Sequence, residues 1–274
     1  MATNEFDPSH PLNVFGQELR RIRADQGLTL DQMAERVPFS ASLIGAVERG
    51  QRRPTHEFVE RIEEEFVLSG ELLRLLPLIH KAASPTWFRP WTKVEESAIT
   101  LRTWQPSLVP GLLQTESYAR AVFTAEPGAI PNEVEQSIEA RLQRQAIFQR
   151  PRPPIFSAVL DEAVLIRPVG GWSTMREQLG HLLKMITEFR IVIQIVPLEL
   201  GLPVGLLGGF SIAQSSGNGD SVYFESAAHG YVSDRADEVR AANVRYDTIR
   251  AWAHPLHVSE ELIRKTLESK HEHA

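Results

Sequence analysis

TLDQMAERVPFSASLIGAVERGQRRP, residues 29–54, decides the fold of the first part of the chain. Thr29 is a good N-cap, because its hydroxyl can accept from an orphan backbone N–H one turn in. Gln32 stands three residues on and can reach back, which makes a capping box. Leu30, Met33, Ala34 and Val37 then form one apolar stripe at helical spacing. Ser40 caps a second helix with the stripe Leu43, Ile44 and Val47. That helix stops at Gly50, a residue free to take the left-handed conformation past a helix end. A cationic loop, Gln51-Arg52-Arg53-Pro54, follows. Two apolar-faced helices this short are not stable alone and require neighbours.

The neighbours lie on either side. Asn13 is read as the cap of a first helix, Val14 to Asp25, which buries Val14, Phe15, Leu19 and Ile22 and closes at Gly27. Arg20, Arg21 and Arg23 mark its outer face, either solvated or turned to phosphates. Thr55 caps a fourth helix from His56 to about Phe66, with Phe58, Val59 and Ile62 inward. A fifth, Glu71 to Ala83, is apolar through Leu72, Leu73, Leu76 and Ile79, with a kink expected at Pro77. The expectation is an all-α five-helix domain over residues 12–84. Glu48 is expected to satisfy local backbone or an arginine, since a carboxylate repels DNA phosphate.

The pattern LTLDQMAERV followed by S-x-S-x-I-x-x-V-E-R-G-x-R-x-P resembles the helix-turn-helix of phage-repressor-type (Xre-like) DNA-binding domains, over roughly residues 12–82. Pro38 stands in the turn where that family usually carries Gly. Proline cannot take a positive φ, so the resemblance does not fix the turn geometry. The resemblance implies that the second helix enters the major groove of double-stranded DNA. Thr29, Gln32, Ser40, Ala41, Ser42 and Ala46 are then candidates on the reading face. These are mostly short side chains: serine can bond to several bases, and alanine can only touch a thymine methyl. Arg49, Gln51, Arg52 and Arg53 are the candidates for phosphate, which sets affinity and register without reading sequence.

The charge distribution permits this. The 274-residue chain has a net charge of −6, which argues against whole-molecule attraction to nucleic acid. Residues 14–53, however, carry seven arginines against five acids, a net of +2, while residues 54–81 carry three basic and six acidic side chains. Local positive charge is what a DNA face needs. The chain contains no cysteine, which excludes disulfides and thiolate metal sites. The start MATNEFDPSH has neither the basic end nor the apolar core of a signal peptide, and no apolar run approaches the ~20 residues of a membrane span. A cytoplasmic protein is expected, with no membrane association.

After a Ser84-Pro85 linker the pattern turns to mixed strands and helices, which predicts an α+β domain over residues 85–274. Strands are expected at 99–104, 155–160 and 191–196, the last a buried β-branched run, IVIQIV. A hairpin is expected around residues 210–225. Helices are expected from Thr115 as cap, over 132–149, over 173–189, from Asp234 as cap to about His254, and from Ser259 as cap onward. The runs WFRPW, PSLVPGLLQTESYARAV, EARLQRQAIFQRPRPP, LDEAVLIRPVGG and MREQLGHLL resemble the C-terminal domain of actinobacterial WhiJ-like regulators, a domain of unknown function (DUF5753) joined to an Xre-type helix-turn-helix. That resemblance implies an antitoxin-like arrangement with a small co-encoded protein.

Arg141, Arg144, Arg150 and Arg152 form a basic run, read either as a solvated helix face or as a docking surface for an acidic partner protein. Trp87, Phe88 and Trp91 read as packing rather than as a ligand cage. Asp161, Glu162, Glu225 and His229 fall at strand ends but make no convincing catalytic set, and Gly170-Gly171 and Gly208-Gly209 lack the spacing of a phosphate loop. No catalytic activity, cofactor or metal site is expected, His271 and His273 included. The chain is therefore expected to be a DNA-binding transcriptional regulator, acting as a homodimer, whose second domain receives a protein partner or signal. The alternatives are an antitoxin-like protein binder with autoregulatory DNA contact, and a small-molecule sensor or enzyme.

Overall fold

The computed structural model describes residues 11–76, 78–79, 87–189, 191–215, 219–226 and 229–269. The chain divides into two compact units between residues 84 and 85. In the first unit, helix α1 spans Pro11–Asp25, α2 Leu30–Ala34, α3 Ala41–Glu48 and α4 His56–Glu65. Asn13 therefore lies inside α1 and does not cap it. Pro11 takes the first helical position, where a missing N–H costs nothing. The other caps form as local chemistry dictates. Thr29 accepts from the Gln32 N–H while Gln32 Oε1 accepts from the Thr29 N–H, Ser40 accepts from Leu43, and Thr55 accepts from Phe58.

Phe15, Leu19, Met33, Ile44, Val47, Phe58, Val59 and Ile62 meet in one core. One close approach and one helix stop set α3 against the rest. At Gly16 of α1, a Cβ would lie 2.5 Å from the Glu48 carbonyl oxygen, so only glycine lets the helices come this near. Gly50, with φ +65°, ends α3 in the left-handed conformation. The turn between α2 and α3 uses no left-handed residue. The Phe39 N–H donates to the Val37 carbonyl at 2.7 Å, a three-residue turn centred on Pro38. Proline's fixed φ suits the centre of such a turn, so the turn forms without a glycine.

Beyond α4 the expected regular helix from Glu71 is replaced at its start by a 3-10 turn, Leu73–Leu75. Glu63, buried in α4, explains the tight geometry: its carboxylate accepts from the backbone N–H groups of Gly70, Leu72 and Leu73. Residues 76, 78 and 79 are helical. The expected kink at Pro77 and the Ser84-Pro85 linker lie outside the described residues.

The second unit is built on a six-stranded mixed sheet in the order β3-β2-β1-β4-β5-β6. The strands are β1 Ala98–Gln105, β2 Ile155–Asp161, β3 Val192–Val196, β4 Phe210–Ser215, β5 Ser221–Phe224 and β6 Tyr231–Ser233. Strands β1, β2 and β3 pair in parallel, while β1–β4, β4–β5 and β5–β6 pair antiparallel. Alternating residues face opposite layers, as the pleat requires. Phe156, Ala158 and Leu160 of β2 join one core and Val159 the other. The first core is covered by α5 (Arg89–Ser97), α6 (Glu116–Thr124), α9 (Gly171–Phe189) and α11 (Leu256–Ser269). Helices α7 (Pro131–Arg144) and α8 (Ala163–Ile166) lie in the connections between the parallel strands.

Among the described residues, helix α10 (Ala236–Ala251) covers the other face through Val239, Ala242, Tyr246 and Ile249. It has no side-chain N-cap, so Asp234 does not serve as one. Ser259 likewise is not a cap. It lies fully buried within α11, where its hydroxyl accepts from the Ile195 N–H of β3.

Candidate functional site

The helix-turn-helix presents α3 and the loop after it. Burying Ile44, Gly45 and Val47 turns Ser42 outward, and Ser40, Arg49, Gln51 and Arg52 are also exposed. Ala41 and Ala46 are partly buried at the edge of that face. Arg49 Nε donates to Gln51 Oε1 at 2.9 Å, so these two project as one group. The N–H groups of Gln51 and Arg52 both donate to the Ala46 carbonyl, which wraps the loop back onto the end of α3. Arg52 has no side-chain hydrogen bond or ion pair among the described residues, and it is the loop cation open to a phosphate. Thr29 and Gln32 are exposed, but their capping box occupies the Thr29 hydroxyl and the Gln32 carbonyl oxygen.

Arg53 departs from expectation. It is partly buried, and its Nη1 donates to the Ile79 carbonyl at 3.0 Å. That bond ties the loop to another segment of its own unit and leaves Arg53 less open to a phosphate than Arg52. Arg23 also leaves the outer face of α1. It makes a two-pronged pair with Glu48 at 2.5 and 2.8 Å and donates to the Leu28 carbonyl at 2.8 Å. Glu48 therefore satisfies an arginine and anchors the end of α3 to α1. Arg21 is engaged by Glu18 and Asp25 on the surface, which leaves Arg20 exposed. Arg36, exposed in the turn before α3, is a further candidate cation that the sequence reading passed over.

In the second unit the basic run is broken up by the fold. Arg144 turns inward from α7 to make a two-pronged pair with buried Glu95 of α5, both bonds at 2.8 Å, and lies over the Phe88 ring. Trp91 Nε1 also donates to Glu95. Arg141, one turn earlier, sits over the Phe123 ring at 4.1 Å and donates through Nη1 to the neutral Gln114 Oε1 at 2.7 Å. Neither is available to a docking protein. Arg150 is partly buried and donates to the Glu96 carbonyl, so only Arg152 remains fully exposed. The helix pattern placed 141 and 144 on one face correctly but had no means to show that the face is covered.

The other strand-end residues are used locally. Asp161 accepts from the Ala163 N–H, and Glu162 from the Leu198 N–H. Trp87, Phe88 and Trp91 pack around Tyr223, with Trp87 nearly parallel to the Tyr223 ring. Among the described residues no group of three His, Cys, Asp or Glu is placed to hold a metal, and no helix is long and apolar enough to cross a membrane. His271 and His273 lie outside the described residues.

An α2–turn–α3 pair with an open cationic loop, joined to a separate α+β unit, defines a DNA-binding regulator of the helix-turn-helix class. The chain belongs to the family described as Domain of unknown function (DUF5753), which matches residues 88–265, and a Helix-turn-helix domain matches residues 14–76. No curated protein and no solved structure was found to match the chain.

Proposed function

We propose that the chain is a transcriptional regulator that reads an operator as a homodimer, and that its second unit receives the signal controlling this. The observation that carries the reading is the exposed face of α3 with Ser40 and Ser42, flanked by Arg49, Gln51 and the unpaired Arg52. Arg52 and Arg49 supply phosphate affinity; the two serines supply modest base readout. So few reading groups on one helix fall short of usual operator affinity. Two copies on half-sites about 34 Å apart make up the difference. With Arg141 and Arg144 turned inward, a small acidic partner protein loses most of its expected docking surface. The small-molecule form of the signal gains accordingly.

Selection of duplexes from a randomised pool by the intact chain, followed by titration across salt concentrations, tests this. A two-fold symmetric site is expected. Arg52→Ala should weaken binding to all duplexes alike and reduce the salt slope by about one, as loss of one phosphate contact requires. Ser42→Ala should relax preference at one base pair, at a cost of about 1 kcal/mol or less. Enrichment of no sequence, or a strict monomer on a single half-site, defeats the proposal.

A further inference from the structure

Arg144 and Arg141 stand one turn apart on α7, but only one of them is neutralised. Glu95 takes both prongs of Arg144. Arg141 faces the amide of Gln114 and the ring of Phe123, and its Nε is buried without a hydrogen-bond partner among the described residues. The fold therefore carries a guanidinium in a poorly solvated place with no counter-charge in contact among the described residues, a costly arrangement. Desolvation, together with repulsion from Arg144, pushes the Arg141 pKa down to about 10.

A carboxylate from another element, Glu225, lies just past the end of β5. It feels both arginines electrostatically yet makes no ion pair with either, and its hydrogen bond comes from Gln105 Nε2 at the end of β1. The Tyr223 hydroxyl faces the same charges and has no hydrogen-bond partner among the described residues. Arg141 and the Tyr223 hydroxyl are thus two donors in a poorly solvated place whose hydrogen-bonding capacity the described residues do not fill. The cluster sits where β1 and β5 end, beside the point at which the sheet changes from parallel (β1–β2) to antiparallel (β1–β4) pairing. Open α/β sheets bind ligands outside the carboxyl ends of their parallel strands, and β1 ends here.

We propose that this cluster binds a small-molecule oxyanion, a carboxylate or phosphate group seated on Arg141, with the Tyr223 hydroxyl as the hydrogen-bond donor beside it. A guanidinium matches the planar geometry of such groups with two parallel bonds, which an ammonium does not. Only a small ligand fits the assignment, because Arg141 is partly buried. The aromatic rings of Trp87, Phe88 and Trp91 against Tyr223 supply an apolar wall. This deepens the reading of the second unit as the receiver of a signal. Its test uses no DNA, so its failure is distinct from failure of the DNA reading.

The test is thermal unfolding of the intact chain, with tryptophan fluorescence, titrated with sodium benzoate and separately with inorganic phosphate against sodium chloride at matched ionic strength. A saturable rise in Tm of several degrees with one or both probes is expected, since ligand that binds only the folded state stabilises by mass action. Benzoate alone identifies a carboxylate site with an aromatic wall; phosphate alone identifies a phosphate site. Arg141→Met should abolish the response, while Arg120→Met, which removes a surface cation paired with Glu116 and Glu135, should respond as the unaltered chain does. If Arg141→Met does not fold, Arg141→Lys replaces it and should bind at least severalfold more weakly. No saturable shift with either probe, or an undiminished shift in whichever Arg141 variant folds, overturns the proposal.

Discussion

The two-pronged pair of Arg23 with Glu48 fixes the far end of the reading helix, and its energetics are open to a double-mutant cycle. The Glu48 side chain is 5% exposed and that of Arg23 16%. Removing Arg23 alone, as Arg23→Met, strands a buried carboxylate and deletes the bond to the Leu28 carbonyl; about 3 kcal/mol should be lost. Removing Glu48 alone, as Glu48→Leu, should cost less, about 1.5 kcal/mol. The long arginine side chain is nearer to water and can carry its charge outward. In Arg23→Met/Glu48→Leu no buried charge is left, and the loss should stay at about 1.5 kcal/mol. A buried pair is worth little against apolar replacement and much against a missing partner. The coupling is then about 3 kcal/mol, at the top of the range for touching residues.

The assay must report on the first unit alone. All five tryptophans and all four tyrosines lie beyond residue 84, so fluorescence follows only the second unit. Native-state hydrogen exchange at the amides of Ile44 and Val47 in the intact chain reads the required free energies, with tryptophan emission as an internal control that should not change. A double variant whose loss equals the sum of the two single losses refutes the reasoning. So does a Glu48→Leu loss larger than that of Arg23→Met.

Val67, 87% exposed with φ +50°, is a β-branched residue holding the left-handed position that ends α4, with Leu68 N–H bonded back to the Glu63 carbonyl. Val67→Gly should stabilise the first unit by about 1 kcal/mol in the same exchange measurement and leave DNA affinity unchanged. Desolvation raises the Glu225 pKa, so the folded chain holds that proton over a range where the unfolded chain has released it. Stability from this group is full below the unfolded carboxylate value, near 4.3, and declines as pH rises through the folded value. Glu225→Gln, neutral throughout, should therefore gain on the unaltered chain in urea unfolding as pH rises toward neutrality and converge with it in acid; equal stability at all pH values would contradict this.

Local chemistry made the helix-turn-helix legible from sequence. The capping box of Thr29 and Gln32, the caps at Ser40 and Thr55 and the stop at Gly50 each involve groups within four residues, and a stripe at 3.6-residue spacing marks which face is buried. That Glu48 turns away from DNA follows from charge repulsion with phosphate; that its partner is Arg23, 25 residues away, and not local backbone, is a tertiary result. For the second unit, periodicity located the principal strands and the longer helices, including β3 as a buried run. What the tertiary structure alone decided is which polar faces get covered. Arg141 and Arg144 read as surface because their neighbours in sequence are polar. They became interior because Glu95, 49 residues before Arg144, and Gln114, 27 before Arg141, come from other elements. Arg53 was drawn from the phosphate set by the Ile79 carbonyl, 26 residues away. Ser259 moved from cap to core because β3 needed a partner for the Ile195 N–H. Pattern and capping act over one or two turns of chain. Burial of a charge depends on what the rest of the fold lays over it, and that distance in sequence carries no local signal.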